Sequence, residues 1–182
     1  MRLRAPCAVA LFALLPNIAS AQLVQHSAPT NPVAQGFRDY ESTAATNLIA
    51  AAEEFPADKY SFKPTPAQMS VADIIVHLTR GNDFFCSALS GGKAPTRTKI
   101  AATDSKDVLV TRLKDTFAYC STALAGVDDS KLGEMLPFFG GRSITRASMF
   151  TVTAADFADH YSQLAIYLRL NGLLPPTAKR PE

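Results

Sequence analysis

The segment AADFADHYSQLAIYLRLNG, residues 154–172, decides the predicted fold. Its apolar side chains recur every three or four residues, which is the period of an amphipathic helix, and Gly172 is a typical residue to end one. Asp156 and His160 lie one turn apart on a single face of this helix. Burying an ionisable pair costs several kcal/mol unless another group compensates. A divalent cation is one such group, so further ligands are to be sought elsewhere in the chain.

Three more segments show the same period, and each has the residues that begin and end helices. The first helix is predicted to start at Pro32, with Asn31 as its cap, and to end before Pro56. The second starts with Ser70 and Asp73 as a capping box and ends at Gly91. The third is predicted to start near Ser105, and the last to start after a cap among residues 143–145 and to run to about residue 171.

The connection between the second and third helices, residues 91–104, has no apolar period. Fourteen extended residues reach about 45 Å, which exceeds the roughly 30 Å length of a twenty-residue helix. The third helix can therefore run parallel to the second. No segment shows strand-like alternation, so we predict an all-α protein in which residues 31–176 form one four-helix bundle.

The N-terminus has the layout of a secretory signal peptide, predicted to span residues 1–21. A basic start precedes a short apolar segment and the small residues Ala19, Ser20 and Ala21. The alternative is an uncleaved anchor, but about twenty apolar residues are needed to span a bilayer. We expect a periplasmic or secreted protein with no stable membrane insertion after cleavage. Residues 22–30 are predicted to be a disordered lead-in, and residues 177–182 a disordered tail.

The charge pattern argues against nucleic-acid binding. The chain carries a formal net charge of +2, and removal of residues 1–21 takes away two arginines and no acid. The mature chain of 161 residues is therefore formally neutral, and its basic residues form no cluster on one helix face.

Two cysteines, Cys86 and Cys120, remain in the mature chain. In an oxidising compartment they are candidates for a disulfide between neighbouring helices, which would stabilise the fold by roughly 3–4 kcal/mol. They can equally be two small buried hydrophobic residues. The residues leave both alternatives open.

Two histidines, His77 and His160, lie on inward stripes of their helices. Together with Asp156 they make a candidate set of three metal ligands from two helices, with other positions open to water or substrate, as in catalytic sites. Such ligands suit Zn²⁺, with Ni²⁺ or Fe²⁺ as alternatives. A buried hydrogen-bonded cluster without metal is the competing interpretation. The chain has no Cys-x-x-Cys-His motif, which argues against a haem bundle.

Several segments, in this order and spacing, resemble the DinB/YfiT-like family of metalloenzymes. They are YSFKPTP at 60–66, residues 70–77 with Cys86 and Ser90-Gly91, and HY-Q-YLR-NG with its prolines between residues 160 and 176. The resemblance implies a bundle with an up-down-down-up course. It also implies a divalent metal held by one histidine of the second helix and two residues four apart on the fourth. These correspond to His77, Asp156 and His160, although the family commonly has a third histidine where this chain has Asp156.

The predicted function is that of an exported metal-dependent enzyme of the DinB-like type, whose metal activates water or a thiol for hydrolysis or thiol transfer. The alternative is a non-catalytic exported bundle that binds a small ligand or a protein partner. Gln163 and Tyr167 lie on the ligand face, where they either orient a small-molecule substrate or pack against the first helix. The sequence leaves the substrate unidentified and leaves a homodimer open.

Overall fold

The computed structural model describes residues 29–179 of the 182-residue chain. The predicted signal peptide, residues 1–21, and residues 22–28 of the predicted lead-in lie outside the described residues. Four helices account for most of the described chain: α1 (Pro32–Glu54), α2 (Val71–Ser90), α3 (Lys106–Leu124) and α4 (Arg146–Leu170). The prediction of an all-α helical bundle is confirmed.

Local sequence determines three of the four helix starts. The Ser70 side chain accepts from the Asp73 backbone N–H while the Asp73 side chain accepts from the Ser70 backbone, which is the predicted capping box. Ser105 caps α3 and Thr145 caps α4 in the same manner, each accepting from a backbone N–H three residues later. Gly91, at φ 71°, ends α2 in the left-handed conformation that glycine adopts without strain.

The cap predicted for α1 is wrong. Asn31 occupies the capping position but makes no side-chain cap. Instead the Asp129 carboxylate accepts from the backbone N–H groups of Val33 and Ala34, at 3.0 and 2.8 Å. The Asn31 side chain in turn accepts from the Asp129 backbone N–H. A carboxylate suits this position because it complements the positive end of the helix dipole, so the start of α1 is held by a residue almost one hundred positions away.

Pairs of contacts establish the direction of each helix. The Asn82 side chain donates a hydrogen bond to the Thr116 hydroxyl. Four residues further along both helices, Cys86 forms a disulfide with Cys120, so α2 and α3 are parallel. The Phe37 ring packs on that of Phe150 near the starts of α1 and α4, which are also parallel. The α2 and α4 helices run in opposite directions, since the Tyr167 hydroxyl donates to the Met69 carbonyl before α2 begins. The course is therefore up-down-down-up.

The crossover from α2 to α3 runs back along both helices without secondary structure. Arg97 within it forms an ion pair with Asp83 of α2 at 2.9 Å. The Arg112 and Tyr119 side chains of α3 donate to its carbonyls at Thr98 and Lys93. These side chains hold the long connection against the helices that it joins.

A short antiparallel hairpin, β1 (Met135–Pro137) and β2 (Ser143–Thr145), precedes α4. It was not predicted, because strands of three residues are too short to show an alternating pattern. Gly140 and Gly141 in the turn between the strands both have φ near 70°, a region that favours glycine. The turn carries Phe139 against α2, where its ring stacks on Phe84 at 4.5 Å.

Two hydrophobic clusters fill the bundle. The larger one lies where α2 and α3 begin and includes the fully buried Leu48, Ile75 and Leu164. The smaller one lies at the opposite end and includes Phe150 and the Cys86–Cys120 disulfide. Full burial of a leucine or isoleucine side chain stabilises a fold by roughly 2 kcal/mol. The clusters meet near the middle of α4, at the level of the candidate ligands.

The last described residues need a correction to the predicted tail. Residues 177–179 are ordered, because a short 3₁₀ turn, Pro176–Ala178, follows α4. The Tyr161 hydroxyl donates to the Thr177 hydroxyl, and Lys179 forms an ion pair with Glu54. Residues 180–182 lie outside the described residues. Within residues 29–179, none of the helices combines the length and apolarity needed to cross a membrane.

Glu41 is a buried acid on α1. It is 3% exposed, and its Oε1 atom has no hydrogen-bond partner within the described residues. Burial raises its pKa from 4.5 to about 7. The unfolded chain therefore releases this proton at a lower pH than the folded chain. The folded state is most stable below pH 4.5 with respect to this group, and stability is lost as the pH rises through 7.

We expect Glu41→Gln to raise the melting temperature at pH 8.5 by roughly 5 °C, or about 2 kcal/mol, because glutamine cannot ionise. At pH 4.5 the variant and the original protein should melt within about 1 °C of each other. The control is Glu53→Gln on the same helix, since Glu53 is exposed and paired with Lys114. Equal effects of Glu41→Gln at both pH values would show that the charge of Glu41 is not what destabilises the protein.

Candidate metal centre

The three predicted ligands come together between two antiparallel helices. His77 lies in the second turn of α2, and Asp156 and His160 lie one turn apart near the middle of α4. Each residue offers one ligand atom, and these atoms all lie within 4.8 Å of one another. Among residues 29–179, no other group of three or more histidine, cysteine or acidic side chains is arranged so that it could hold a metal ion.

Asp156 is the centre of the cluster. Its Oδ1 atom lies 3.2 Å from Nε2 of His77 and 3.4 Å from Nε2 of His160. The centroids of the two imidazole rings lie 4.6 Å apart, and the ring planes are tilted by 59°. The Asp156 carboxylate thus links His77, which lies 79 positions earlier in the chain, to His160, one turn further along α4.

The three side chains of the cluster differ in their exposure to solvent. The His160 side chain is 7% exposed, that of Asp156 19% and that of His77 46%. One histidine therefore belongs to the core, while the other reaches the surface. Solvent and small molecules have access to the cluster from the His77 side.

The electrostatics keep the carboxylate ionised. Burial raises the pKa of Asp156, but hydrogen bonds from His160 and His77 outweigh burial and lower this pKa to about 2. The hydrogen bond with Asp156 raises the pKa of His77, although partial burial and the nearby Arg80 charge oppose that rise. A carboxylate must be deprotonated to bind a metal, and metal binding displaces any proton from the coordinating nitrogen of each imidazole.

The donor set and its spacing fit a divalent cation. Bonds of about 2.0–2.1 Å in tetrahedral geometry place neighbouring ligand atoms about 3.3 Å apart. The two distances from Asp156 Oδ1 match this value. The other oxygen, Oδ2, is buried without a hydrogen-bond partner in the described residues, and so is Nδ1 of His160. A cation beside the carboxylate would offset the cost of burying that oxygen.

A cavity of about 470 Å³ opens beside the cluster. His77 and Asp156 form one end of it, and side chains of α2, α4 and the hairpin turn form the rest. Gly81 lies between the cavity and the carboxylate, and a Cβ atom there would come within 3.7 Å of Asp156 Oδ2. A side chain at residue 81 would therefore contact the carboxylate at the border of the cavity.

The structure places Gln163 and Tyr167 away from the cavity. The Gln163 amide donates to Asp159 at 2.8 Å. Tyr167 is 1% exposed in the larger core cluster, edge-on to the Phe62 ring. Neither residue lines the cavity beside His77. A substrate-orienting role for them stays a prediction.

Sequence reasoning did not identify the cavity wall. Phe84 was detectable, because it lies seven residues after His77 on the same helix stripe. Arg80, one turn from His77, carried a similar signal. Phe139 carried none, because the unpredicted hairpin brings it to this place. The residues lining the cavity are His77, Arg80, Gly81, Phe84, Phe85, Phe139, Val152 and Asp156.

The model of the DinB superfamily matches residues 42–164, which include all three candidate ligands. The chain belongs to the DinB superfamily. Its helical bundle is that of a DinB-like protein, and its His/Asp/His group can bind a divalent metal.

Solved structures of DinB-like proteins share the fold. One from Bacillus subtilis is 19% identical, with a TM-score of 0.62, over 81% of this chain and 96% of that chain. Another from Bacillus cereus is 16% identical, with a TM-score of 0.64, over 78% of this chain and 95% of that chain. A mycothiol-dependent maleylpyruvate isomerase is 10% identical, with a TM-score of 0.58, over 72% of this chain and 60% of that chain. No curated protein matches the chain.

Proposed function

We propose that this DinB-superfamily chain is an exported metal-dependent enzyme. His77, Asp156 and His160 would hold one divalent cation, and a small-molecule substrate would enter from the exposed His77 side. The observation that carries the proposal is the convergence of three ligand atoms, from two helices, within 4.8 Å of one another. Three protein ligands with an open side are typical of catalytic rather than structural metal sites.

The protein's own residues define what the site can do. A divalent cation held there supplies Lewis acidity, which lowers the pKa of water or of a thiol toward neutrality. Asp156 contributes a permanent negative charge, and buried His160 fixes the position of that carboxylate from within the core. His77, at the boundary between core and solvent, leaves the outer side free for the reacting molecule.

The metal we propose first is Zn²⁺, with Ni²⁺ or Fe²⁺ as alternatives. Two imidazoles and one carboxylate are a ligand set that each of these ions accepts. The carboxylate of Asp156 makes the set harder than one of three histidines. Compared with three imidazoles, a set that contains this carboxylate is therefore more favourable for a harder cation such as Fe²⁺.

The proposed reaction is hydrolysis or thiol transfer. Thiol transfer is supported by the similarity in fold to a mycothiol-dependent isomerase. Hydrolysis is supported by the proposed periplasmic or secreted localisation of the protein, because low-molecular-weight thiols are scarcer outside the cytosol than inside it. Export itself rests on the basic, apolar and small-residue order of residues 1–21. A periplasmic or secreted protein of this kind needs no nucleic-acid partner, and it can act as a monomer or a homodimer.

The metal content of the protein tests the proposal. Mature protein from Gln22 onward, purified without added metal, should contain about one divalent ion per chain by elemental analysis. The His77→Ala variant should contain less than about a tenth of that amount. His26→Ala, which removes the remaining histidine of the chain, is the matched control and should keep the ion. Metal-free protein that also fails to take up Zn²⁺, Ni²⁺ or Fe²⁺ in titration would end the proposal.

The competing function is a non-catalytic bundle that binds a small ligand or a protein partner. The mutual hydrogen bonds of His77 and His160 with Asp156 favour it, since they hold the cluster together without a cation. A metal bound only by the folded protein raises stability by about 4 kcal/mol when its concentration is 1,000 times its Kd. Equal melting temperatures with and without a chelator would therefore favour the non-catalytic bundle.

A further inference from the structure

The wall of the cavity next to the candidate metal centre is predominantly aromatic. Phe84 and Phe85 of α2 and Phe139 of the hairpin turn line it together with Val152 of α4. The Phe84 and Phe139 rings stack at 4.5 Å with an angle of 26°, and Phe85 meets Phe139 edge-on at 5.9 Å. Phe139 is nevertheless 52% exposed. A large exposed aromatic ring that borders a cavity is an available contact for an apolar ligand.

Arg80 is the cation of this cavity. Its side chain is exposed and forms no hydrogen bond or ion pair within residues 29–179. The other described arginines each bind an acidic side chain or a backbone carbonyl: Arg38, Arg97, Arg112, Arg142, Arg146 and Arg169. Arg80 is therefore the described arginine whose guanidinium donors remain available to a ligand. A planar guanidinium is well suited to bind a carboxylate or another oxyanion.

The cavity has one acidic lining residue, Asp156, which already faces two imidazoles. The remaining charge of the lining is positive and comes from Arg80. A volume of about 470 Å³ is within the range of small-molecule sites. Size, apolar wall and charge together describe a ligand with one flat apolar portion and one anionic group.

We propose that the cavity binds a small anionic aromatic substrate, with its ring against Phe84 and Phe139 and its anionic group on Arg80. The placement of this substrate at a reacting centre rests on the proposed metal-dependent function. Its binding to the cavity does not. Arg80 is then the residue that selects for the negative charge, while the phenylalanines select for the ring.

The probe pair 1-naphthylacetate and 1-naphthylacetamide separates charge from shape, because the two molecules differ in one carboxylate against one amide. Binding is followed by the fluorescence of the naphthyl ring, with both Zn²⁺-loaded and chelator-treated mature protein. The carboxylate should bind about tenfold more tightly than the amide in each form. Acetate, which has no ring, should not compete at similar concentrations.

Three variants assign the preference to residues. Arg80→Gln should reduce the preference for the carboxylate to less than about twofold, while Arg80→Lys should retain part of it. Arg169→Gln also removes one positive charge, but at a site on α4 about 20 Å beyond Asp156 along the helix axis, and it should leave the preference unchanged. Phe84→Ala should weaken both probes about tenfold without changing their ratio. Melting curves verify that each variant is folded.

The outcomes separate this proposal from the proposed function. A Zn²⁺-binding protein that treats both probes alike, or an Arg80→Gln variant that keeps the full preference, overturns the proposed substrate class and leaves the metal site intact. A protein that binds no metal yet prefers the carboxylate through Arg80 supports the cavity proposal and removes the metal-dependent reaction. Failure of Phe84→Ala to weaken either probe also overturns the proposal.

Discussion

Replacing His160 by alanine is expected to lower the affinity for Zn²⁺ by at least about 100-fold. His160 is the most buried of the three candidate ligands, and its Nε2 lies 3.4 Å from the Asp156 carboxylate. Its removal leaves one imidazole and one carboxylate, which is too small a set for tight binding. The measurement is competition against a chromophoric chelator at neutral pH.

Two further variants give this experiment its controls. His160→Gln retains most of the side-chain volume in the core, so the loss of affinity should persist without a cavity. Asp159→Asn alters an exposed carboxylate on the same helix, which bonds Gln163 and acts on His77 only through its charge, so affinity should change far less than in either His160 variant. If both His160 variants bind Zn²⁺ as tightly as the original protein, His160 is not a ligand.

Asp156→His is informative in the opposite direction. This change would produce the three-histidine set that is common in DinB-like proteins, on the same helix position. We expect Zn²⁺ binding to be retained within about tenfold, whereas Asp156→Ala should behave like His160→Ala.

Removal of the Cys86–Cys120 disulfide is expected to cost about 3–4 kcal/mol of stability, or roughly 10 °C in melting temperature. The bond closes a sequence separation of 34 residues, and this segment includes the whole crossover between α2 and α3. Without the bond the unfolded chain gains the freedom of that long segment. The measurement compares the melting of the Cys86→Ala/Cys120→Ala variant with that of the original protein.

Reduction is the control for this comparison. Dithiothreitol should lower the melting temperature of the original protein toward that of the double variant and should leave the double variant unchanged. A double variant that melts with the oxidised original would show that the disulfide adds nothing to stability. Both cysteines are fully buried, so each change to alanine removes only a small apolar group from the core.

Sequence periodicity identified the faces of the helices but not the positions along them. Asp156, His160 and Tyr167 share one face of α4, as predicted. Tyr167 nevertheless lies eleven residues, or about 16 Å, from Asp156 along the helix axis, and it enters the larger core cluster at that level. A face predicted from spacing therefore includes both site residues and core residues.

Contacts between distant segments were beyond the reach of sequence patterns. The Asp129 cap of α1 depends on where the segment after α3 folds back, and the position of Phe139 over the cavity depends on a hairpin with two three-residue strands. Neither feature is stabilised mainly by contacts between residues close in the chain, so local sequence patterns do not predict it.

The amino-acid sequence alone determined the four amphipathic helices, the capping box at Ser70, the long crossover and the candidate ligands His77, Asp156 and His160. These follow from local preferences and helix periodicity, which act over a few residues. Only the tertiary structure decided that ligand atoms on α2 and α4 meet within 4.8 Å and that a cavity lined by phenylalanines and Arg80 opens beside them. Such distances result from the packing of whole helices, whose rotations and offsets are set by the summed contacts of the core.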